Sequence, residues 1–317
     1  MLKLRNRTGV EIAVLPYGGI ITSIATPDRD GQFADIVLGF NDARGYLSDH
    51  PYFGAVIGRY GNRIANARFV IDGLNYMLAA NHGRHHLHGG RRGFDKHEWD
   101  STVDGDTIAL RRVSPDGEEG YPGRLEAAVS YRLTDANELV ITYTAQTDQA
   151  THVNLTQHSY FNLRGEGDGD VLDHEVTINA ARFTPVDEEL IPTGRLAPVE
   201  GTRFDFRQRR AIRESYDHNW VLDGGDGELR HAASVRERTT GRTLDVFTTE
   251  PGLQFYTGNF LDGSLVGKSG RGYARHGGFC LETQHFPNSP NEPSFPSTLL
   301  RPGEQYRTRT IYRFGVS

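Results

Sequence analysis

Leu125-Glu126-Ala127-Ala128-Val129-Ser130-Tyr131-Arg132-Leu133 alternates apolar residues with polar or smaller ones. After Thr134-Asp135-Ala136-Asn137-Glu138 the alternation resumes at Leu139, Ile141, Tyr143 and Ala145. A period of two sends successive side chains to opposite faces, so two such runs joined by a polar turn predict an antiparallel hairpin. The pattern recurs outward from there. Phe69 and Ile71 lead into Asp72-Gly73, followed by Leu74, Tyr76 and Leu78; Asp-Gly between alternating apolar residues is a strong hairpin signal. Val103, Asp104-Gly105, Ile108 and Leu110 read as another. The 37 glycines and 14 prolines punctuate the chain, and helical periodicity is scarce; only Phe206 to Ser215 reads as a short helix. Gly165 to Asp170 and Asp223 to Gly227 read as polar loops rather than domain boundaries. The expected fold is all-β: one domain over 1–317, a large antiparallel sandwich with many strands on two packed sheets.

Charge and composition narrow the function classes. A net charge of −6 disfavours a nucleic-acid groove or an anionic membrane partner. The cluster Arg207-Gln208-Arg209-Arg210 reads as a solvated face. A single cysteine, Cys280, excludes an intrachain disulfide framework and a cysteine-based zinc site, and fits a reducing, cytoplasmic setting. The start, Met1 to Gly9, has no apolar core of a signal peptide, and no stretch approaches ~18 uncharged apolar residues.

Five polar residues sit inside apolar or aromatic stretches far apart in sequence: Arg63, His88, His158, Asp217 and Glu282. A buried charge is costly unless it is paired or working, so these islands are expected to converge on one polar site. His158 and Glu282 together offer a general acid and a general base. Tyr160 and Phe161 follow His158, while Trp220 and Phe279 lie beside the other islands. Aromatic faces beside planar polar groups suit a sugar, whose C–H face stacks on rings while its hydroxyls are read by Asn62, Arg63, Asn154, Asn162, Asp217 and Gln254.

Other motifs carry less. Gly267-Lys268-Ser269 lacks the glycine that a phosphate-binding loop needs five residues earlier, where Asp262 stands, and reads as a surface turn. His82, His85, His86 and His88 resemble a metal cluster, and His86 and His88 could share a strand face. Arg91, Arg92 and Gly93 nevertheless follow where a carboxylate ligand is wanted, so no metal is expected. Ser159 lacks a nucleophile elbow, and adjacent strand residues face opposite ways, so His158 is not expected to activate it.

Read in order, the motifs resemble the aldose 1-epimerase (galactose mutarotase) family over almost the whole chain. They are Gly58-Arg59-Tyr60-Gly61-Asn62-Arg63-Ile64-Ala65-Asn66, Leu87-His88-Gly89-Gly90, Val153-Asn154-Leu155-Thr156-Gln157-His158-Ser159-Tyr160-Phe161-Asn162, Ile191-Pro192-Thr193-Gly194, Tyr216-Asp217-His218-Asn219-Trp220, Pro251-Gly252-Leu253-Gln254-Phe255-Tyr256, Leu281-Glu282-Thr283-Gln284-His285-Phe286-Pro287 and Leu300-Arg301-Pro302-Gly303-Glu304. The resemblance implies a β-supersandwich enzyme that needs no cofactor and interconverts the α and β anomers of free hexoses. It implies that Glu282 is the catalytic base and His158 the catalytic acid. By the same resemblance Arg63, His88, Asp217 and Gln254 would bind and orient the sugar, and the residue inventory adds Asn62 and Tyr160 to the expected sugar-binding set. The implied partner is a free monosaccharide, and the implied assembly a monomer or homodimer.

Gln157, where Asn is usual, and Arg84-His85-His86 depart from the family pattern at positions expected to shape the cleft wall. On this reading Asp217 and Glu282 help to hold His158 protonated, while Glu282 is ionised at neutral pH. The competing readings are a hexose-6-phosphate epimerase, a non-catalytic sugar-binding or regulatory protein on the same fold, and a metal-dependent β-barrel enzyme built on His86 and His88.

Overall fold

The alternation at 125–147 is a hairpin. Strand Leu125–Leu133 pairs antiparallel with Glu138–Thr147, with Leu133 opposite Leu139 and Leu125 opposite Thr147. All nine apolar residues of the alternation are buried, and removing an Ile141-sized side chain from water contributes about 1.5–3 kcal/mol. This computed structural model describes residues 1–225 and 227–317. The polar loop read at Asp223 to Gly227 contains Asp226, which lies outside the described residues.

The hairpin forms the middle of a nine-stranded sheet. Its order is Asp100–Asp104, Thr107–Ser114, Leu125–Leu133, Glu138–Thr147, Tyr306–Val316, Arg242–Thr248, Arg230–Arg236, Glu175–Ile178 and Arg210–Ala211. A five-stranded sheet runs Ala197–Pro198, Arg182–Thr184, Asp217–Val221, Gly252–Tyr256 and Cys280–Gln284. A third sheet holds the four N-terminal strands, Leu2–Arg5, Glu11–Leu15, Ile20–Pro27 and Phe33–Asp35. One apolar core joins all three, from Val14 through Val129 and Ile141 to Trp220 and Leu253. The architecture is the expected antiparallel supersandwich, with a third multi-stranded sheet beyond the two expected. Among the described residues the one α-helix is the five-residue Ala43–Leu47, capped by the Asp42 carboxylate.

Local turn chemistry was legible, with one shift. Asp72 (φ 51°) and Gly73 (φ 81°) are both left-handed and join Arg68–Ile71 to Leu74–Met77, as a primed hairpin turn requires. In the third hairpin Asp104 pairs with Thr107, so Gly105 and Asp106 make the turn, one residue later than expected.

The helix expected over Phe206 to Ser215 does not form. Arg210–Ala211 is an edge strand paired with Glu175 and Val176, and Arg213 takes a left-handed φ of 63°. Phe206 is drawn into the core against Tyr216, Trp220 and Phe255, at ring separations of 5.2, 5.9 and 5.7 Å. Tertiary packing and sheet bonding override a weak local preference. Gly267-Lys268-Ser269 is a turn, as read, and Lys268 Nζ is held by Asp35 Oδ2 (2.6 Å) and the Thr22 carbonyl (2.7 Å).

Candidate active site

The five-stranded sheet builds the floor. Asn219 stands opposite Gln254, and Gln254 opposite Glu282, so three neighbouring strands present a polar row on one face. Asp217, two residues before Asn219, shares that face. Gln254 Nε2 donates to Asp217 Oδ1 (2.6 Å), and Arg63 Nη2 lies 3.5 Å from Asp217 Oδ2.

His158 and His88 arrive from other directions. His158 follows the short strand Thr156–Gln157, which pairs with Val56–Ile57, and its amide donates to the Ala55 carbonyl (2.9 Å). His88 (φ 51°) turns off the strand His86–Leu87. Gly89 (φ 86°) completes that turn, and a Cβ there would stand 1.8 Å from the Gly58 carbonyl oxygen. Only glycine lets the backbone pass this close while delivering His88 to the cleft.

His158 Nε2 lies 3.7 Å from Glu282 Oε2. The imidazole stacks on Tyr160 (5.1 Å) and Tyr52 (5.7 Å) and meets the edge of His88 (5.1 Å). Asn62 braces the opposite wall. Its backbone N–H donates to His88 Nδ1 (3.1 Å), and its Oδ1 accepts from the Arg63 amide (2.9 Å). Among the described residues, Glu282 Oε2, Gln254 Oε1, Arg63 Nε and both polar side-chain atoms of Asn219 are buried here without a hydrogen-bond partner. Buried polar groups are normally satisfied, so unmet atoms converging on one space mark a place for a polar ligand.

Burial pushes the Glu282 carboxyl well above the usual carboxylate range; Asp217 adds to the shift and Arg63 opposes it. Burial lowers His158 to about 4, and it pushes His88 well below the ordinary imidazole value, reinforced by His158. The expectation that neighbouring acids hold His158 protonated is therefore corrected. Desolvation dominates at His158, and the resting pair tends toward two neutral groups.

His88, His158 and Glu282 each offer a ligand atom within 4.8 Å of the others. The donor set nonetheless suits a metal poorly. The Asn62 N–H occupies the His88 Nδ1 lone pair, which assigns the proton of the neutral ring to Nε2 and makes that nitrogen a donor rather than a ligand.

Several expectations are corrected here. His86 and His88 do not point together: His86 Nδ1 bonds the Ala79 carbonyl (2.8 Å) and Nε2 the Tyr121 hydroxyl (2.7 Å) within the core. His85 is buried too, its Nδ1 accepting from the Asn66 amide (3.0 Å). Trp220, Phe161 and Phe279 are fully buried and offer no face to a sugar. Asn154 and Asn162 are likewise buried, with amides spent on backbone carbonyls. Tyr160 lies behind His158 with its ring 2 % exposed. Gln157 bonds the Gly54 carbonyl (2.6 Å) and the Ser159 amide (2.6 Å), so it reaches the cleft only through the Tyr52-Phe53-Gly54 turn. Arg84 pairs with Glu189 at the surface. Sequence reasoning missed Tyr52, whose contacts with both histidines depend on a left-handed backbone (φ 61°) that no local pattern announced.

The family model for aldose 1-epimerase matches residues 1–313. The chain is 51% identical to the galactose mutarotase of Bos taurus over 316 residues, covering 97% of this chain and 92% of that protein. It is 41% identical to the aldose 1-epimerase of Escherichia coli over 330 residues, covering 99% and 94%. The crystal structure of an aldose epimerase homologue from C. elegans superposes with a TM-score of 0.94 at 29% identity, covering 99% of this chain and 98% of that one. On sequence, fold and family model together, the chain belongs to the aldose 1-epimerase family.

Proposed function

We infer that the chain is an aldose 1-epimerase that interconverts the α and β anomers of a free aldohexose such as galactose or glucose. The observation carrying this reading is the buried pair of Glu282 and His158, 3.7 Å apart, with Glu282 Oε2 unpartnered. Anomer exchange needs one proton taken from the C1 hydroxyl and one delivered to the ring oxygen. The step runs from the arrangement in which the proton shared by the pair has passed from Glu282 to His158: the Glu282 carboxylate takes the first, and the His158 imidazolium gives the second. The ring opens to an aldehyde, the C1–C2 bond rotates, and the same protons return as the ring closes on the other carbonyl face. The cycle ends with the pair as it began, so one proton shared between the two groups suffices. The raised basicity of a buried carboxylate and the lowered basicity of a buried imidazole bring both closer to the groups they serve.

Asn62, Arg63, His88, Asp217 and Gln254 hold the hydroxyls in this reading, with His88 Nε2–H as a donor, while Tyr160 works through His158. The site draws on residues 62 to 282, which supports one catalytic domain over 1–317. Direct proton transfer asks for no cofactor. A free monosaccharide is the partner; the net charge of −6 argues against nucleic acid or membrane partners, and the assembly is a monomer or homodimer. Among the described residues no helix is long and apolar enough to cross a membrane. The single cysteine supports placing the protein in the reducing cytoplasm.

A hexose 6-phosphate fits less well. Its dianion would lie near Asp217 and Glu282, and the reserve cations are spent: Arg84 on Glu189, and Arg91 on the Ala80 carbonyl (3.3 Å). NMR anomer exchange on galactose, glucose and glucose 6-phosphate tests the reading. Faster exchange of the neutral sugars is expected, and absence of any exchange would refute it.

A further inference from the structure

Tyr52 stands in the cleft in a conformation that tyrosine seldom adopts. Its φ of 61° lies in the left-handed region, where an L side chain is strained unless its surroundings hold it there. The surroundings do so. The Tyr52 amide donates to the His50 carbonyl (2.9 Å), the Ala55 amide donates to the Tyr52 carbonyl (3.1 Å), and the Phe53 amide donates to His50 Nδ1 (3.1 Å). Gln157 clamps the Gly54 carbonyl from the strand that precedes His158. The whole turn is thus fastened to the segment carrying the acid.

This backbone delivers the Tyr52 ring between the two site histidines, with centroids 4.7 Å from His88 and 5.7 Å from His158. Lys96 Nζ lies 5.1 Å from the same ring centroid, anchored by the buried Asp95 carboxylate (2.6 Å). Burial holds the Tyr52 hydroxyl above the ordinary phenol range; Asp95 and Asp49 add to this, while the Arg63 guanidinium opposes it. The Tyr52 hydroxyl makes no hydrogen bond among the described residues, and it is not one of their enclosed unpartnered atoms, which leaves it open to a bound ligand. A half-buried tyrosine held in a left-handed conformation between the two site histidines, with its hydroxyl outside the protein's own hydrogen bonds, is poorly explained as core filling.

We propose that Tyr52 is a specificity-determining residue of the sugar site, its hydroxyl bonding one hydroxyl of the bound aldose while its ring keeps His158 in plane. The inference rests on the aldose 1-epimerase reading of the cleft. It separates two roles of one side chain, and these can be removed independently. Tyr52→Phe keeps the ring and deletes the hydroxyl. Tyr52→Leu deletes both.

The test measures kcat and KM by NMR anomer exchange for the wild type and both variants. The substrates are glucose, galactose and the series of 2-, 3-, 4- and 6-deoxyglucose. Tyr52→Phe is expected to raise KM about tenfold with kcat little changed, as for loss of a hydrogen bond to a neutral group. The wild-type advantage over Tyr52→Phe should vanish for the one deoxy sugar that lacks the partner hydroxyl. Tyr52→Leu should lower kcat as well, because His158 loses its stacked neighbour. An unchanged thermal midpoint for Tyr52→Phe keeps folding out of the comparison. Equal kinetics for wild type and Tyr52→Phe on every sugar would overturn the proposal, as would a uniform loss that no deoxy sugar cancels. If the wild type exchanges none of these sugars, the functional reading of the cleft fails instead.

Discussion

Glu282 and Glu237 are both buried carboxylates, 2 % and 3 % exposed, and their surroundings treat them oppositely. Glu237 is saturated. The amides of Thr239 and Thr240 and the Thr240 hydroxyl donate to it at 2.7–2.9 Å. Burial raises its pKa, but the Thr240 and Thr239 amides outweigh that and pull it to about 2. Glu282 Oε2 has no donor, and burial is left to push its carboxyl upward. The histidines repeat the contrast. His86 has both ring nitrogens engaged, whereas His158 Nε2 meets only Glu282 at 3.7 Å. Burial alone does not distinguish Glu282 from Glu237; the donors that surround Glu237 and are missing at Glu282 Oε2 do.

The sharpest way to break this contrast is to neutralise each glutamate in turn. Glu282→Gln should lower kcat by about 10²-fold or more, since the amide keeps the shape but cannot take a proton. Glu237→Gln should leave kcat unchanged and cost about 1–3 kcal/mol of stability, because the amide NH2 would face donors. Polarimetry and denaturant unfolding on both purified variants read the two effects. Equal losses of turnover would erase the distinction.

His158→Asn should also lower kcat by about 10²-fold. Combined with Glu282→Gln, it should lose far less than the product of the two single losses, because the pair acts as a unit. Fully multiplicative losses would assign the two residues to separate steps.

The structural histidines should appear in stability rather than turnover. Burial lowers His86, His152 and His174 to about 4 each, against an ordinary value of 6.5. Below pH 6.5 the unfolded chain takes up protons that the folded chain refuses. Their contribution is thus complete above about pH 6.5 and is lost as pH falls toward 4, by about 1–3 kcal/mol apiece at most. Urea unfolding at pH 7, 5.5 and 4.5 should trace this decline, and His86→Gln should flatten it without altering kcat at pH 7.

The smallest expected effect is none. Dialysis against EDTA should leave turnover unchanged, since the assigned His88 tautomer presents a proton where a metal would need a lone pair. Activity lost to the chelator and restored by one divalent ion would overturn both the tautomer and the acid–base assignment.

Much of this was legible in the sequence, for local reasons. The period of two at 125–147 and the Asp72-Gly73 turn are properties of adjacent residues, and they produced the pairings expected of them. The residues that gather at the cleft, His88, His158, Asp217 and Glu282 among them, lie in motifs whose order matches a family. Long-range properties were hidden. Phe206 to Ser215 looked helical until the core claimed Phe206. The protonation of His158 could not be read without its depth of burial. Trp220 and Phe279 lie next to site residues in sequence but belong to the core, because neighbours on a strand face opposite ways. Tyr52 escaped notice because its place is set by a backbone angle and by contacts 36 and 106 residues away, at His88 and His158.

The row Asn219, Gln254 and Glu282 carries a consequence for how such a chain can change over generations. Each member owes its direction to strand parity and to a ladder shared with the next strand. Removing one residue from Gly252–Tyr256 ahead of Gln254 would turn that amide to the far face and shift its pairing with Glu282. The surface loops bear no such constraint. Lineages of this enzyme should therefore gain and lose length in the turns, while the Asp217–Val221, Gly252–Tyr256 and Cys280–Gln284 segments admit substitutions but not insertions or deletions.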